Sequence, residues 1–148
     1  MRIALGSDHA GFELKETLKQ DLKDRGFEVK DFGTWSQESV DYPDFAFKVA
    51  TAVSSEGFDR GVLVCSTGIG MSVAANKVNG IRAALAYHVD AAIQSRAHVD
   101  CNVLVFGQRF ADPEASVVTL RRWLETPFEG GRHGRRVNKI KEFEAKAS

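Results

Sequence analysis

The stretch Val62-Leu63-Val64-Cys65-Ser66-Thr67-Gly68-Ile69-Gly70-Met71-Ser72 decides how this chain folds. An apolar run ends in a cysteine, a glycine-bearing loop follows, and a helix-like segment runs from Met71 to Lys77. A strand, loop and helix in this order point several backbone N–H groups at one place, and the positive end of the helix dipole reinforces them. The loop is therefore predicted to hold an anionic group beside Cys65 and Thr67.

Outward from this stretch, apolar runs and amphipathic segments alternate along the chain. Strands are predicted at 3–5, 27–31, 61–64, 81–87 and 102–106, each read from a short apolar or alternating run. Helices are predicted after Gly11, at Pro43, at Met71, over 88–97, after the Asp112 cap and over 133–146. Val137, Ile140 and Phe143 are expected to face inward from the last helix.

This alternation predicts the α/β class: a three-layer α/β/α sandwich, Rossmann-like, with a five-stranded parallel sheet in one domain over 1–148. Ligands of such sheets bind beyond the carboxyl ends of the strands. In a common strand order the first and third strands are neighbours. Asp8 and His9 would then share one crevice with residues 65–70.

Composition limits the possible partners. The 148 residues carry 20 basic and 20 acidic side chains, so no overall charge favours nucleic acid or an anionic membrane. The two cysteines, Cys65 and Cys101, form no disulfide framework, and no apolar run is long enough to span a membrane. With a polar residue as early as Asp8, no signal peptide is expected. A cytoplasmic location and no nucleic-acid or membrane partner are predicted.

The cysteine loop fails three familiar motifs. A phosphate-binding P-loop needs Gly-Lys-Ser/Thr, but Met71 follows Gly70, and the dinucleotide fingerprint is half complete and follows the wrong strand. Met71 also stands where a cysteine phosphatase has its arginine. Cys65 is then either a packed thiol or a thiolate whose pKa the helix terminus lowers. Thr67 either bonds loop N–H groups or takes part in catalysis.

Other polar residues have two interpretations each. Asp8 can cap the first helix, and His98 is expected in a loop on the carboxyl-end side of the sheet. The histidines lack the spacing of metal ligands, so no metal site is predicted. Cations at a helix start are unfavourable unless an anion lies between them. The arginines near the start of the last helix therefore suggest a phosphate site; they are Arg132, Arg135 and Arg136.

Several motifs occur in the order found in one known family. They are Gly6–Gly11 (GSDHAG), Asp41–Asp44 (DYPD), Cys65–Ser72 (CSTGIGMS), Ala75–Lys77 (ANK), Gly80–Ala83 (GIRA), Ser95–His98 (SRAH) and Phe128–His133 (FEGGRH). On these motifs, which cover nearly the whole chain, the sequence resembles the ribose-5-phosphate isomerase B family. The wider family includes allose-6-phosphate isomerases and galactose-6-phosphate isomerase subunits.

The resemblance implies an aldose–ketose isomerase of phosphorylated sugars, acting through an enediolate without a metal or other cofactor. It assigns Cys65 as the base, Thr67 as the group that moves protons among oxygens, and His98 with Asp8 as the ring-opening pair. The enediolate oxygen would be held by the amides of Ser66, Gly68, Ile69, Gly70 and Met71. Phosphate positions match His9, Arg109, Arg132 and Arg136, and Tyr42 matches a sugar contact. Family members are homodimers or homotetramers with active sites between subunits.

The chain departs from the family at Val99, where asparagine usually follows the histidine. Valine cannot hydrogen-bond a sugar, so another side chain replaces the amide or the preferred sugar differs. Ribose 5-phosphate is the expected substrate, and allose 6-phosphate or another aldose phosphate is the alternative. A phosphosugar-binding subunit without turnover is opposed by the presence of Cys65 and His98. A cysteine-nucleophile hydrolase is opposed by Met71.

Overall fold

The computed structural model describes residues 1–147 and confirms the predicted α/β/α sandwich around a five-stranded parallel sheet. The strand order is β2-β1-β3-β5-β4, so the first and third strands are neighbours as expected. The strands are β1 (Arg2–Ser7), β2 (Glu28–Asp31), β3 (Arg60–Cys65), β4 (Ala83–Leu85) and β5 (Val103–Gly107).

Six helices connect and cover the strands within the described residues 1–147. They are α1 (Phe12–Asp24), α2 (Tyr42–Ser55), α3 (Ile69–Ala75), α4 (Val89–Val99), α5 (Pro113–Glu125) and α6 (Arg132–Ala147), with 3-10 turns at His9–Gly11 and Gln108–Phe110. Helices α2 and α3 pack on one face of the sheet, and α1, α4 and α5 on the other. The central strands β1, β3 and β5 are covered on both faces, which explains their unbroken apolar runs.

Strand β4 and helix α4 differ in length from their predictions. The strand covers three residues because the Arg82 N–H donates to the side chain of Asn102, 2.9 Å away, instead of extending the ladder from Ile81. The helix continues to Val99 and ends on Asp100, whose φ of 53° is left-handed. His98 therefore lies inside α4, not in a loop.

Helix α6 buries less of its apolar face than the sequence indicated. Val137 is buried, but Ile140 is 50% exposed and Phe143 is 75% exposed. The inward placement of the last two was wrong. Helix α6 meets α4 near its start, and farther along it the carboxylate of Glu144 accepts the Gly80 N–H at 3.1 Å. The remaining apolar surface of α6 is not covered by any other part of residues 1–147.

The position of α4 determines which residues share an edge of the sheet. Like any helix between parallel strands, α4 runs from the carboxyl end of the sheet back to its amino end. Its last residues adjoin Asn102, whose C=O accepts the N–H of Gly61 at the amino end of β3. Cys65, in contrast, pairs with Gly107 at the carboxyl end of β5. The residues at the end of α4 and Cys65 therefore lie at opposite edges.

A buried ion pair holds the chain next to the end of β1. The Lys15 ammonium has no solvent exposure, lies 2.8 Å from the Asp31 carboxylate and also donates to the Thr34 C=O. The backbone groups of Ser7 bond to Gly33 and Thr34, each at 2.7 Å. This network fixes the backbone at the end of β1, immediately before Asp8.

Among residues 1–147, no helix is both long and apolar enough to cross a membrane.

Candidate active site

The carboxyl ends of β1, β3 and β5 bring one group of candidate residues together. We call this group the thiol edge; it comprises Asp8, His9, Tyr42, residues 65–71 and Arg109. The Asp8 N–H reaches the Val64 C=O at 3.3 Å, so the residue after β1 sits beside the residue before Cys65. The predicted adjacency of Asp8 and the residues at the end of the third strand is confirmed.

The loop after β3 folds around the cysteine sulfur. Gly68 has φ of +81°, a left-handed conformation that side chains rarely adopt, and α3 begins at the next residue. The Gly68 N–H donates to Cys65 Sγ at 3.2 Å, and the backbone amides of Met71 and Thr67 also act on the sulfur. The loop therefore presents amide donors to a negative charge at or beside the thiol.

Burial outweighs these amides in setting the acidity of Cys65. The side chain is 5% exposed, and desolvation raises the pKa of the Cys65 thiol, with a further contribution from the Asp8 carboxylate. The amides of Met71, Gly68 and Thr67 lower it by less. Of the two alternatives that the sequence left open for Cys65, the free protein therefore has the packed thiol, because a thiolate here loses more hydration than the amides replace.

Asp8 and His9 occupy defined positions at the thiol edge. Asp8 is 6% exposed, and its carboxylate accepts the Gly11 N–H at 3.0 Å, which is the capping role expected from the sequence. Burial raises the pKa of the Asp8 carboxyl, so this group can hold a proton more readily than a surface aspartate. His9 Nδ1 accepts the N–H of Val40 at 3.1 Å, which leaves Nε2 for another partner.

Thr67 is anchored on both its side chain and its backbone. Its hydroxyl oxygen accepts the Ile69 N–H at 3.2 Å, and its C=O accepts the Tyr87 hydroxyl at 2.7 Å. Thr67 therefore stabilises the loop. This bond uses only the hydroxyl oxygen as acceptor, so the hydroxyl hydrogen can still be donated to another group. Tyr87 was not identified from the sequence, because its link to Thr67 joins two separate loops.

Tyr42 and Arg109 border the same loop. A Cβ added to Gly70 would lie 2.5 Å from the Tyr42 ring, so glycine is required for the ring to rest there. The Arg109 N–H donates to the Ser66 C=O at 2.9 Å, which ties the turn after β5 to the cysteine loop. The Tyr42 ring and the backbone of Arg109 therefore border the cysteine loop.

His98, Arg132 and Arg136 lie at the opposite edge of the sheet. His98 is in the last turn of α4, and the two arginines are in the first turns of α6. Along β5, four residue steps separate the two edges, which is about 13 Å. The expected position of His98 near the carboxyl ends was wrong, because a helix that follows a strand ends at the amino edge.

A compact polar cluster surrounds His98; we call it the histidine cluster, consisting of His98, Glu129 and His133. The imidazoles of His98 and His133 stack with centroids 4.0 Å apart and planes 6° apart. Oxygens of Glu129 lie 3.6 Å from His98 Nε2 and 3.7 Å from His133 Nε2. Glu129 and His133 belong to the Phe128–His133 motif, but neither was assigned a role from the sequence, because their pairing with His98 is tertiary.

The three donor atoms of the histidine cluster lie within 4.8 Å of one another, as metal ligands can. The sequence spacing did not indicate this grouping. Two parallel imidazoles cannot aim their in-plane lone pairs at one ion between them unless a ring turns.

The raised pKa of Cys65 predicts how its reactivity depends on pH. Iodoacetamide reacts with the thiolate, so alkylation of the Cys65 peptide, followed by mass spectrometry, should rise only above the pH at which an ordinary thiol reacts. Asp8→Asn removes a negative charge that disfavours the thiolate, so the rise should move to lower pH. Asp44→Asn, an exposed change, should leave it in place.

Cys101 is an internal reference for this experiment. Burial raises the pKa of the Cys101 thiol to about 11, so its peptide should react later than that of Cys65. Half-maximal Cys65 alkylation at or below the pH of a free thiol, or no effect of Asp8→Asn, would contradict the prediction.

Comparison with known proteins shows the family to which this chain belongs. The family model described as Ribose/Galactose Isomerase matches residues 3–140. Ribose-5-phosphate isomerase B of Escherichia coli is 47% identical over 143 residues, covering 97% of this chain and 96% of that protein. Ribose-5-P isomerase B of Listeria innocua is 41% identical over 146 residues, covering 99% of each.

Solved structures agree in fold over the full length. Ribose-5-phosphate isomerase B of Clostridium thermocellum superimposes with a TM-score of 0.98 at 51% identity, covering 100% of both chains. The Mycoplasma genitalium ribose-5-phosphate isomerase B structure, which holds ribulose-5-phosphate, has a TM-score of 0.93 at 40% identity, covering 97% of this chain and 96% of that one. With a family model and full-length relatives in agreement, this chain belongs to the ribose/galactose isomerase family.

Proposed function

We propose that this protein isomerises ribose 5-phosphate and ribulose 5-phosphate through an enediolate. The observation that carries the proposal is the amide-lined loop around the Cys65 sulfur, with Asp8 beside it. A base and oxyanion donors at one place are what proton transfer next to a carbonyl requires. Full-length relatives carry the name ribose-5-phosphate isomerase B, and one of them was solved with ribulose-5-phosphate bound.

The proposed proton transfers use three groups of the thiol edge. The Cys65 thiolate takes the proton from C2 of the open-chain aldose and returns it to C1. The negative charge that develops on the enediolate oxygen is held by the amides of residues 66–71. The Thr67 hydroxyl carries a proton from O2 to O1, which leaves the ketose carbonyl at C2. The raised pKa of Cys65 makes its thiolate a stronger base once formed.

Binding and ring opening use residues from both edges. The cyclic sugar must first break its C1–O4 bond, with Asp8 taking the O1 proton and His98 giving a proton to O4. The phosphate would be held by four side chains, and Tyr42 would contact the sugar. The four are His9, Arg109, Arg132 and Arg136. Guanidinium groups bind phosphate in a fixed orientation, which positions C1 and C2 at the thiol.

One chain cannot bring these groups to one sugar. Cys65 and His98 lie at opposite edges of the sheet, whereas reacting groups must approach to within about 3–3.5 Å. We infer a homodimer, or a tetramer built from such dimers, in which the thiol edge of one subunit faces the histidine cluster of the other. The exposed apolar side chains support a further interface; they are Ile69, Val73, Ile140 and Phe143.

We further propose that residues 1–148 act as one isomerase domain that functions in the cytoplasm. One sheet carries both edges of the proposed site, so no smaller part of the chain would contain it. The two cysteines are both buried and unpaired, as is usual in a reducing compartment.

The decisive assay follows turnover of ribose 5-phosphate and allose 6-phosphate by the purified protein. Ribulose 5-phosphate formation from the first, with a larger kcat/KM than for the second, is the expected result. Preference for the hexose phosphate would favour the alternative substrate. Absence of turnover with either, together with binding of both, would identify a non-catalytic binding protein.

Val99 provides a specificity test within that assay. It is the last residue of α4, one position from His98, and is 36% exposed. Val99→Asn adds an amide that can bond a sugar hydroxyl, so kcat/KM for ribose 5-phosphate should rise by a few-fold, on the order of one hydrogen bond. Val99→Ala removes the apolar bulk without adding the amide and is the matched control. Equal kcat/KM in all three proteins would show that the position does not contact the sugar.

A further inference from the structure

The carboxylate of Glu129 has no part in the proton transfers proposed above, yet it is held in a defined position. The Glu129 N–H donates to the Ala97 C=O at 3.0 Å, which fixes the residue against the end of α4. The turn that follows has positive φ at Gly130 and Gly131, and α6 begins immediately after it. The backbone therefore holds Glu129 beside the two histidines, and its carboxylate oxygens lie near the Nε2 atom of each ring.

A carboxylate is unfavourable at a phosphate-binding site. Glu129 lies three residues before Arg132 and faces the start of α6, where Arg136 also lies. A negative charge there opposes the binding of a phosphate dianion. Its position is explained if the negative charge stabilises a protonated imidazole. The two Glu129 oxygens are within ion-pair range, at 3.6 Å from His98 Nε2 and 3.7 Å from His133 Nε2.

It is unfavourable for both stacked rings to be protonated to the charged imidazolium form at the same time. Their centroids are 4.0 Å apart, so a charge on one ring opposes a charge on the other. Desolvation, together with the nearby charges of His98 and Arg132, lowers the pKa of His133. The side chain of His133 is 10% exposed and that of His98 is 39% exposed, so His98 is the ring that a ligand can reach.

We propose that Glu129 is a positioning residue that keeps one imidazolium charge on the stacked pair, from which the accessible ring, His98, delivers the proton. The proposal rests on the proposed isomerase function. In ring opening, the C1–O4 bond breaks and its electron pair goes to O4, which takes the proton from His98. Asp8 takes the proton from O1, so the aldehyde forms at C1. Glu129 compensates the imidazolium charge before the transfer and contacts neither sugar oxygen.

The other charges around the pair determine the direction of its pH response. Those that act on His133, besides His98 and Glu129, are Arg132 and Arg136 on α6. The two α6 arginines disfavour a proton on the rings, and Glu129 favours it. Removing the carboxylate should therefore let the pair lose its proton at lower pH.

The first test measures the proton itself. NMR titration of the ring C–H signals of His98 and His133 compares the wild type with Glu129→Gln, which keeps the size and the backbone bond to Ala97. Both titrations should move to lower pH in Glu129→Gln and stay unchanged in Glu56→Gln, a substitution of the exposed residue that follows α2. Glu129→Asp, which keeps the charge on a shorter side chain, should restore part of the shift. No movement in Glu129→Gln overturns the proposal even if the protein is an active isomerase.

The second test uses ribose 5-phosphate turnover. For Glu129→Gln, kcat should fall by roughly tenfold, a fraction of the ~10²–10⁴ that a positioned general acid supplies. The KM should fall as well, because a charge that repels phosphate is gone, and inhibition by inorganic phosphate should tighten. The alkaline limb of the pH profile should move to lower pH. If Glu129 only stabilised the turn, Glu129→Gln would raise KM and leave the alkaline limb of the pH profile unchanged.

The two tests separate the proposal from the function it rests on. A shifted titration with unchanged kcat and pH profile would show that the carboxylate acts on the histidines but not on catalysis, and would overturn the proposal alone. A wild-type protein that is inert on ribose 5-phosphate would overturn the proposed function and the catalytic part of the proposal together. Circular dichroism of each variant excludes loss of folding as the cause.

Discussion

Cys65→Ala is expected to lower kcat for ribose 5-phosphate by about 10²–10⁴, the usual contribution of a positioned acid–base group. The substitution removes the base, and the amides that hold the enediolate oxygen stay in place. The KM should change little, because the proposed phosphate ligands are on other elements. Steady-state kinetics with each form at equal concentration measures the effect.

Cys101→Ala is the matched control for this change. Cys101 is also a buried, unpaired thiol at 5% exposure, but it lies just before β5 and far from the amide-lined loop. Its variant should keep kcat within a few-fold of the wild type. If Cys65→Ala isomerises as fast as Cys101→Ala, the thiol is not the base, and the proposed mechanism fails.

A mixture of two inactive variants is expected to recover activity. In a dimer of Cys65→Ala and His98→Gln chains, one site carries both substitutions and the other carries neither. Random pairing of equal amounts makes half of the dimers mixed, so the sample should show about a quarter of wild-type activity. Each variant alone should be at least about 10²-fold slower than wild type.

The experiment uses co-expressed chains with two different affinity tags, so that mixed dimers can be purified and assayed. The control pairs Cys65→Ala with Thr67→Ala. Both substitutions lie in the thiol edge, every site lacks one group, and no recovery should occur. Purified mixed dimers of Cys65→Ala and His98→Gln that remain inactive would show that each site lies within a single chain.

The cysteine loop was the most predictable part of the site. An apolar strand, a cysteine, two nearby glycines and a helix start are all local in sequence, and the amide donors follow from that order alone. The pairing of β1 with β3 was also predicted correctly, because connection rules leave few orders for five parallel strands. Asp8 and Cys65 are neighbours as a result.

The acidity of Cys65 and the surface of α6 were not predictable in the same way. The thiol pKa depends on how completely neighbouring elements bury the sulfur, and the loop sequence does not contain that information. Val137, Ile140 and Phe143 lie on one helical face, but the sequence pattern cannot say how far the rest of the chain extends along that face.

The sequence by itself determined the sandwich, the parallel sheet, the amide-lined loop and the identity of the polar residues, because each depends on local periodicity or short spacing. Only the tertiary structure decided which of those residues share an edge. It placed Cys65 at the carboxyl end of β3 and His98 at the opposite end of the sheet, since a helix between parallel strands must return the chain to the amino edge. It also brought Glu129 and His133 into contact with His98, although these residues belong to segments far apart in the chain.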